Sequence, residues 1–146
     1  MKSVVQILKS KADQSVHRIV PTTSVQEAAS LMERKNIGAL LVVEAERVVG
    51  IVTERDIARK MARPDRSFER TPVREIMHAP VQCVHPHHTN QQCMALMTDR
   101  RLRHLPVVDG GKLIGLVSIG DLVKDIISEQ EFIIHQLEHY ISGDLG

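Results

Sequence analysis

The sequence predicts a mixed α/β (α+β) protein built from two copies of a β-α-β-β-α unit that pack with pseudo-two-fold symmetry. Three observations carry this prediction. The chain aligns with itself at one constant offset, and within each copy the apolar spacing switches from helical to strand-like. Both copies also close on the same short pattern at a strand-to-helix junction.

At an offset of 65 residues, Gly50 pairs with Gly115, Thr53 with Ser118 and Asp56 with Asp121. The same offset pairs Pro21 with Pro86, Gln26 with Gln91, Leu31 with Leu96, Leu40 with Leu105 and Val42 with Val107. No gap is needed from Val16 to Ile57. Chance similarity rarely holds one register for so long.

Each copy opens on a β-rich run, Val16–Val20 or Val81–His85, which ends at Pro21 or Pro86. Thr22-Thr23-Ser24 or His87-His88-Thr89 follows, where hydroxyls can accept from the free amides of a helix start. The next segment places Val25, Ala28, Ala29, Leu31 and Met32, or Cys93, Met94, Leu96 and Met97, at helical spacing. Two apolar strands come next, Ala39–Val43 and Val48–Val52 in the first copy. Glu44-Ala45-Glu46-Arg47 joins them, and Asp109-Gly110-Gly111-Lys112 is the stronger turn signal of the second copy. A last helix starts near Thr53 or Ser118.

The polar, Pro-containing stretch Arg63–Ser67 reads as a linker. Beyond it, Thr71-Pro72-Val73-Arg74-Glu75-Ile76-Met77 reads as a helix with Pro at its first position. Ser3–Leu8 is its N-terminal counterpart, with a longer connection around Lys9–Gln14 in the first copy. The expected organisation is repeat 1 over 4–62, a linker over 63–70, repeat 2 over 71–127 and a C-terminal helical extension over 128–146. Each unit alone has too few strands to be stable, so the two sheets should be buried against each other.

Composition narrows the function classes. Trp is absent and aromatic residues are 2% of the chain, so the core is aliphatic and stacking platforms for single-stranded nucleic acid are missing. The net charge of +1, with basic residues spread along the chain, argues against a DNA binder. Cys83 and Cys93 are too few for a disulfide framework and fit a reducing compartment. No apolar run reaches the length of a membrane span and no signal peptide precedes the first motif, so the expected location is cytoplasmic.

The chemistry lies in Gly50-Ile51-Val52-Thr53-Glu54-Arg55-Asp56 and Gly115-Leu116-Val117-Ser118-Ile119-Gly120-Asp121, both of the form G-x-x-[ST]-x-x-D. Read blandly, this is a capping pattern in which the hydroxyl and carboxylate hold the helix start. Its recurrence in register supports a second reading. A helix start with a hydroxyl suits phosphate, and a carboxylate one turn away can accept from ribose hydroxyls.

These paired motifs, the β-α-β-β-α units and Arg103-His104-Leu105-Pro106-Val107-Val108-Asp109 resemble a tandem CBS (cystathionine beta-synthase) domain pair, or Bateman module, of the stand-alone bacterial type. The resemblance spans about Val4 to Asp125. It implies a regulatory module with two clefts between the copies, binding AMP, ADP, ATP, NAD or S-adenosylmethionine, and commonly dimeric.

By position, the resemblance makes Asp56 and Asp121 the ribose ligands, with Thr53 and Ser118 on ribose or phosphate. Arg55 becomes a phosphate ligand, whereas the second copy has Gly120 there. That contact is then left to Arg103, His104 or Lys124. Adenine lies against Ile37, Gly38 and Ala39 in one cleft, and against Arg103, His104, Leu105 and Pro106 in the other. Val16, Ile19, Val20, Val84 and His85 wall the clefts, and Thr22 and Thr23 are polar contacts.

The other chemistry-bearing residues have plainer readings. His85-Pro86-His87-His88, and His135 with His139 at i, i+4, invite a metal, but nothing fixes a third ligand, so no metal site is expected. Cys93 matches Ala28 on an apolar helix face and reads as a small core residue. Arg100, Arg101 and Arg103 follow a helix end, where cations complement the dipole or meet phosphate. The helix from Leu122 to Ile141, stopped by Gly143, is more apolar than a lone surface helix needs. It is expected either to make a homodimer contact or to pack on its own chain.

No nucleophile, base and orienting group occur together, so no catalytic residues are assigned and no catalytic cofactor is expected. The sequence reads as a non-enzymatic adenine-nucleotide sensor for signal transduction, acting on an unidentified protein partner, with no nucleic acid or membrane involved. The alternative is an interaction or structural module whose clefts are empty.

Overall fold

The structure, a computed structural model, describes residues 2–11 and 15–142. Gly143 lies outside them. Helix α1 (Val4–Ser10) precedes the first repeat: β1 (Arg18–Ile19), α2 (Val25–Lys35), β2 (Ala39–Glu44), β3 (Arg47–Thr53) and α3 (Glu54–Lys60). A single 3-10 turn, Val73–Glu75, leads to α4 (Asn90–Arg100), β4 (His104–Asp109), β5 (Lys112–Ser118) and the long α5 (Ile119–Ile141).

The first sheet has the order β1-β2-β3, with β1 parallel and β3 antiparallel to β2. The second holds only β4 and β5. The run Val81–His85, expected as a strand, makes one parallel bridge, Val84 to Val107. Proline explains the loss. In the first repeat the Leu41 amide donates to the His17 carbonyl at 3.2 Å. Pro106 occupies the equivalent place and has no amide to give, so the rung is missing.

Local chemistry sets the helix starts. The Ser24 hydroxyl accepts from the Glu27 amide at 3.1 Å, and that of Thr89 from the Gln92 amide at 3.2 Å. Thr23 serves the preceding turn instead, accepting from the Val20 amide at 3.3 Å. The helix expected at Thr71–Met77 shortens to one 3-10 turn, because Pro72 stays extended (ψ 151°) as its cap rather than entering it.

Burial explains the strand composition. Strand β2 is buried on both faces, which is why it reads as an unbroken apolar run. Leu40, Val42 and Val52 pack on α2 and on Val73 and Ile76, whereas Ala39, Leu41, Val43 and Ile51 face Val81, Leu113 and Leu116 of the second repeat. The two sheets therefore share a core.

The segments ahead of each repeat cross over. Val4 and Ile7 of α1 are buried in the core of the second repeat, with Val84, Cys93, Leu105 and Leu122. Val73 and Ile76 are buried in the core of the first. Sequence order groups α1 with repeat 1, but packing joins it to repeat 2. The motif glycines make this possible. A Cβ on Gly115 would lie 2.7 Å from the Leu8 methyls, and one on Gly50 would lie 2.3 Å from the Met77 sulfur. Those glycines seat the crossing segments.

The hairpin turns show what glycine contributes. Gly110 and Gly111 take φ of 57° and 83°, and the equivalent Ala45 and Glu46 take 52° and 65°. L-residues with side chains hold that left-handed conformation at a cost of about 1 kcal/mol each. Glu46→Gly is therefore expected to raise the melting temperature by about 2–4 °C, measurable by calorimetry. An unchanged or lower value would contradict this reading of the turn.

Candidate functional site

Both G-x-x-[ST]-x-x-D segments fold as reciprocal capping boxes. The Thr53 hydroxyl accepts from the Asp56 amide at 3.1 Å, and Asp56 Oδ2 accepts from the Thr53 amide and hydroxyl at 3.0 Å each. In the second repeat the Ser118 hydroxyl accepts from the Asp121 amide at 3.1 Å, and Asp121 Oδ2 accepts from the Ser118 amide at 2.9 Å. Each carboxylate also meets a lysine. Lys60 Nζ lies 3.5 Å from Asp56 Oδ1, and Lys11 Nζ lies 3.0 Å from Asp121 Oδ2. Lys60 also donates to the Ile76 carbonyl and Lys11 to the Leu116 carbonyl. The local capping role is thus real, and it holds both carboxylates partly buried at the strand ends.

At Arg55, the residue before Asp56, opens a cleft of about 450 Å³ that combines the two repeats. Arg55 comes from the first, and Met97, Thr98, Arg101, Leu102, Arg103 and Ile119 from the second. Arg103, which the resemblance offers for the Gly120 side, borders the same space as Arg55. Three guanidinium groups border one cleft.

The repeat offset gives the lining of the pseudo-equivalent cleft. Gly120 replaces Arg55, Asn36 replaces Arg101, and Gly38 replaces Arg103, while Glu33 and Glu54 replace Thr98 and Ile119. The backbones correspond: the Glu54 amide donates to Gly38 and the Ile119 amide to Arg103, at 3.0 and 2.9 Å. A Cβ on Gly38 would lie 3.6 Å from the Glu54 carboxyl carbon, so the acid borders that position. The positions equivalent to the arginine-lined ones thus carry two acids and no arginine.

Of the three arginines at the end of α4, Arg101 and Arg103 border the cleft. Arg101 caps α4 in the left-handed conformation at φ 54°, where Asn36 caps α2 at φ 53°. Asn tolerates that conformation and Arg rarely adopts it, so a left-handed Arg at a cleft mouth is a strained residue at a candidate site. The Asn36/Arg101 exchange in the repeat alignment marks it in the sequence.

The remaining assigned residues divide. Ile37, Gly38, Thr53, Arg55, Asp56, Arg103, Ser118 and Asp121 lie at or next to strand and helix ends; Arg55 and Arg103 line the inter-repeat cleft and Asp121 the hollow between α1 and α5. Ala39 belongs to the apolar layer between the sheets, with Val16 packed on it, and Pro106 is buried opposite Leu116. Ile19 packs into the first core. Leu105 and Val84 are fully buried in the second core, so neither side chain walls a cleft. Val20 and Thr22 are exposed, and His85 is exposed with Nδ1 3.2 Å from the Val108 carbonyl.

Near Asp121 a second hollow of about 380 Å³ lies between α1 and α5, bordered by Lys2, Lys11, Lys124 and Asp125. Behind it the Asn90 side chain donates to the Leu122 carbonyl at 3.0 Å and to Asp125 Oδ2 at 2.8 Å. Lys2 meets Asp125 Oδ1 at 3.3 Å. This buried network ties α1 and α4 to α5.

Among the described residues, no group of three or more His, Cys, Asp or Glu side chains could hold a metal ion. Nor is any helix long and apolar enough to cross a membrane. Burial pushes the Cys93 thiol up to about 11, which fits the expected inert core residue.

His104 sits between the two halves of the site. Burial pushes its pKa down, Asp121 partly restores it, and Lys11 and Arg103 lower it again. Because the folded value is depressed, the unfolded chain binds the extra proton first. Stability is present above the ordinary histidine value and is lost as pH falls below about 6.5. The melting temperature should drop as pH falls below about 6.5, and His104→Gln should flatten that slope. An identical pH profile in the variant would rule this source out.

Paired β-α-β-β-α units with a shared sheet core and an inter-repeat cleft define a class: a tandem-repeat α/β module. The sequence profile of the CBS domain matches residues 10–63 and 73–128. The chain belongs to the CBS-domain family, as the resemblance implied, and a CBS pair is a regulatory module.

It is 37% identical over 149 residues to the mitochondrial CBS domain-containing protein CBSX3 of Arabidopsis thaliana, covering 97% of this chain and 72% of that one. It is 35% identical over 123 residues to YhcV of Bacillus subtilis, covering 84% and 87%. A solved CBS-domain protein of Burkholderia ambifaria superposes with a TM-score of 0.83 at 53% identity, covering 88% and 96%. The CBS domain pair of protein MJ0100, solved with 5'-methylthioadenosine and S-adenosyl-L-methionine, shares the fold with a TM-score of 0.77 at 24% identity, covering 88% and 98%.

Proposed function

We propose that this chain is a non-enzymatic adenine-nucleotide sensor whose arginine-bordered cleft takes a phosphate-bearing ligand: AMP, ADP, ATP or NAD. The single observation that carries this is the joining of Arg55, next to Asp56 in the chain, with Arg101 and Arg103 around one cleft. Asp56 accepts from ribose hydroxyls there, and the guanidinium groups meet phosphate by charge-assisted hydrogen bonds. Ile37 and Gly38 with Glu33 and Glu54 make the counterpart cleft suited to an uncharged or cationic adenosine derivative. The MJ0100 pair shows that the fold accommodates such adenosine compounds.

The functional unit we assign is repeat 1 over 4–62 and repeat 2 over 71–127, joined by 63–70, with 128–146 as an extension in a cytoplasmic homodimer that signals to a protein partner. Of the two tail readings, the exposure of the far half of α5 supports the dimer contact. Every residue from Ile127 to Glu138 is exposed, and an uncovered helix of that length is marginal in water. In this reading a second copy of the chain covers it.

Isothermal titration with AMP, ADP, ATP and NAD, together with native mass spectrometry of co-purified ligand, tests the sensor reading. Micromolar binding with a rise in melting temperature is expected. No heat and no thermal shift with any of them would leave the interaction-module reading in its place.

A further inference from the structure

We propose that His135 and His139 form a surface site for a borderline divalent transition ion such as Zn²⁺, on the side of α5 away from its apolar stripe. The two side chains are one helical turn apart, and their Nε2 atoms lie 3.0 Å from each other with the rings nearly perpendicular, at 83°. Two imidazoles at i, i+4 on one helix face are a known way to present two zinc ligands.

The spacing fits chelation. With metal–nitrogen bonds of about 2.0–2.1 Å and a ligand–metal–ligand angle between square and tetrahedral, two bound nitrogens stand about 2.9–3.4 Å apart. The pair already has that separation, so an ion replaces the shared proton without rotating either ring far. Water completes the coordination, since no third ligand is gathered among the described residues.

The position gives binding a consequence. Ile127, Ile134, Leu137 and Ile141 run along one side of α5, and the histidines lie on the other. A metal bridging residues 135 and 139 staples the last turns of a helix that its own chain leaves uncovered. It therefore favours the form that presents the apolar stripe, without entering the contact itself. This depends on neither the nucleotide reading nor the dimer reading.

Titration of the full chain with Zn²⁺ by calorimetry, with helix content followed by circular dichroism, tests it. One ion per chain is expected at micromolar affinity, with a gain in helicity. His135→Gln or His139→Gln should each weaken binding by roughly tenfold or more. His85→Gln with His88→Gln, at the other histidine pair, should leave it unchanged. His135 is exposed and His139 half-buried, so the apo spectrum of each variant is compared with the native one before zinc is added. Zinc uptake that survives in the His135→Gln/His139→Gln variant, or no uptake by the native chain, would overturn the assignment.

Discussion

Arg101→Asn is expected to raise the melting temperature of the free protein while weakening a phosphate-bearing adenine nucleotide about ten- to a hundred-fold. Two separate physical effects set the signs. The backbone at Arg101 is left-handed, and the equivalent position in repeat 1 carries Asn in the same conformation. Replacing Arg by Asn removes about 1 kcal/mol of strain, which appears as a few degrees in melting temperature. The same change deletes a guanidinium from the cleft, and a hydrogen bond to a charged group contributes about 1.5–3 kcal/mol. Stability and affinity therefore move in opposite directions, as they do where a site holds strain for function.

The companion variants sharpen the test. Arg55→Ala and Arg103→Ala should weaken the same ligand, because both line the same cleft. Asp56→Ala should weaken it and also lower apo stability, since Asp56 Oδ2 holds the Thr53 amide. Asp121→Ala should lower stability through its own capping box but spare this ligand. A purely structural role for the motifs gives a different pattern, with lower melting temperatures and unchanged binding throughout. Binding curves and apo melts for these five variants separate the two. Undiminished affinity in Arg55→Ala, Arg101→Asn and Asp56→Ala together would remove the nucleotide assignment from this cleft.

Much of this was legible in the chain because a repeat is read twice. The β2–β3 and β4–β5 hairpins, the Ser24 and Thr89 caps and the two boxes all rest on neighbours within a few residues, where spacing and turn chemistry are informative. What the sequence hid depends on contacts between distant residues. The loss of the strand at Val81–His85 comes from Pro106, more than twenty residues downstream. The seating of α1 on repeat 2 depends on Gly115 leaving room for Leu8. The sharing of one cleft by Arg55 and Arg103 follows from how the two sheets face each other, which the alignment of the repeats does not specify. The resemblance makes Leu105 an adenine contact and Val84 a cleft wall, but both side chains are fully buried in the core of the second repeat.

Leu137→Glu, or truncation after Asp125, is expected to convert the protein from a dimer to a monomer, read by light scattering, while leaving the nucleotide clefts intact. Helix α5 runs 23 residues, about 35 Å, and only its first turns are covered by the body. Leu122 is fully buried, whereas Leu137, Tyr140 and Ile141 are 55%, 76% and 82% exposed. Ile127, Ile134 and Ile141 recur every seven residues with Leu137 and Ile133 beside them, so the stripe is self-complementary and a second copy can cover it. A glutamate in that seam places a charge in an apolar contact already bordered by Glu131 and Glu138, which should weaken association by at least a hundred-fold. The borders add a second signature. No Lys or Arg occurs from Ile126 to Ser142, so pairing two copies brings carboxylates together, and added salt should tighten the dimer by screening them. Crystal-like packing of basic partners would show the reverse, loosening with salt. A native chain that is monomeric at micromolar concentration, or a Leu137→Glu dimer as tight as the native one, would show that something other than a second copy covers α5.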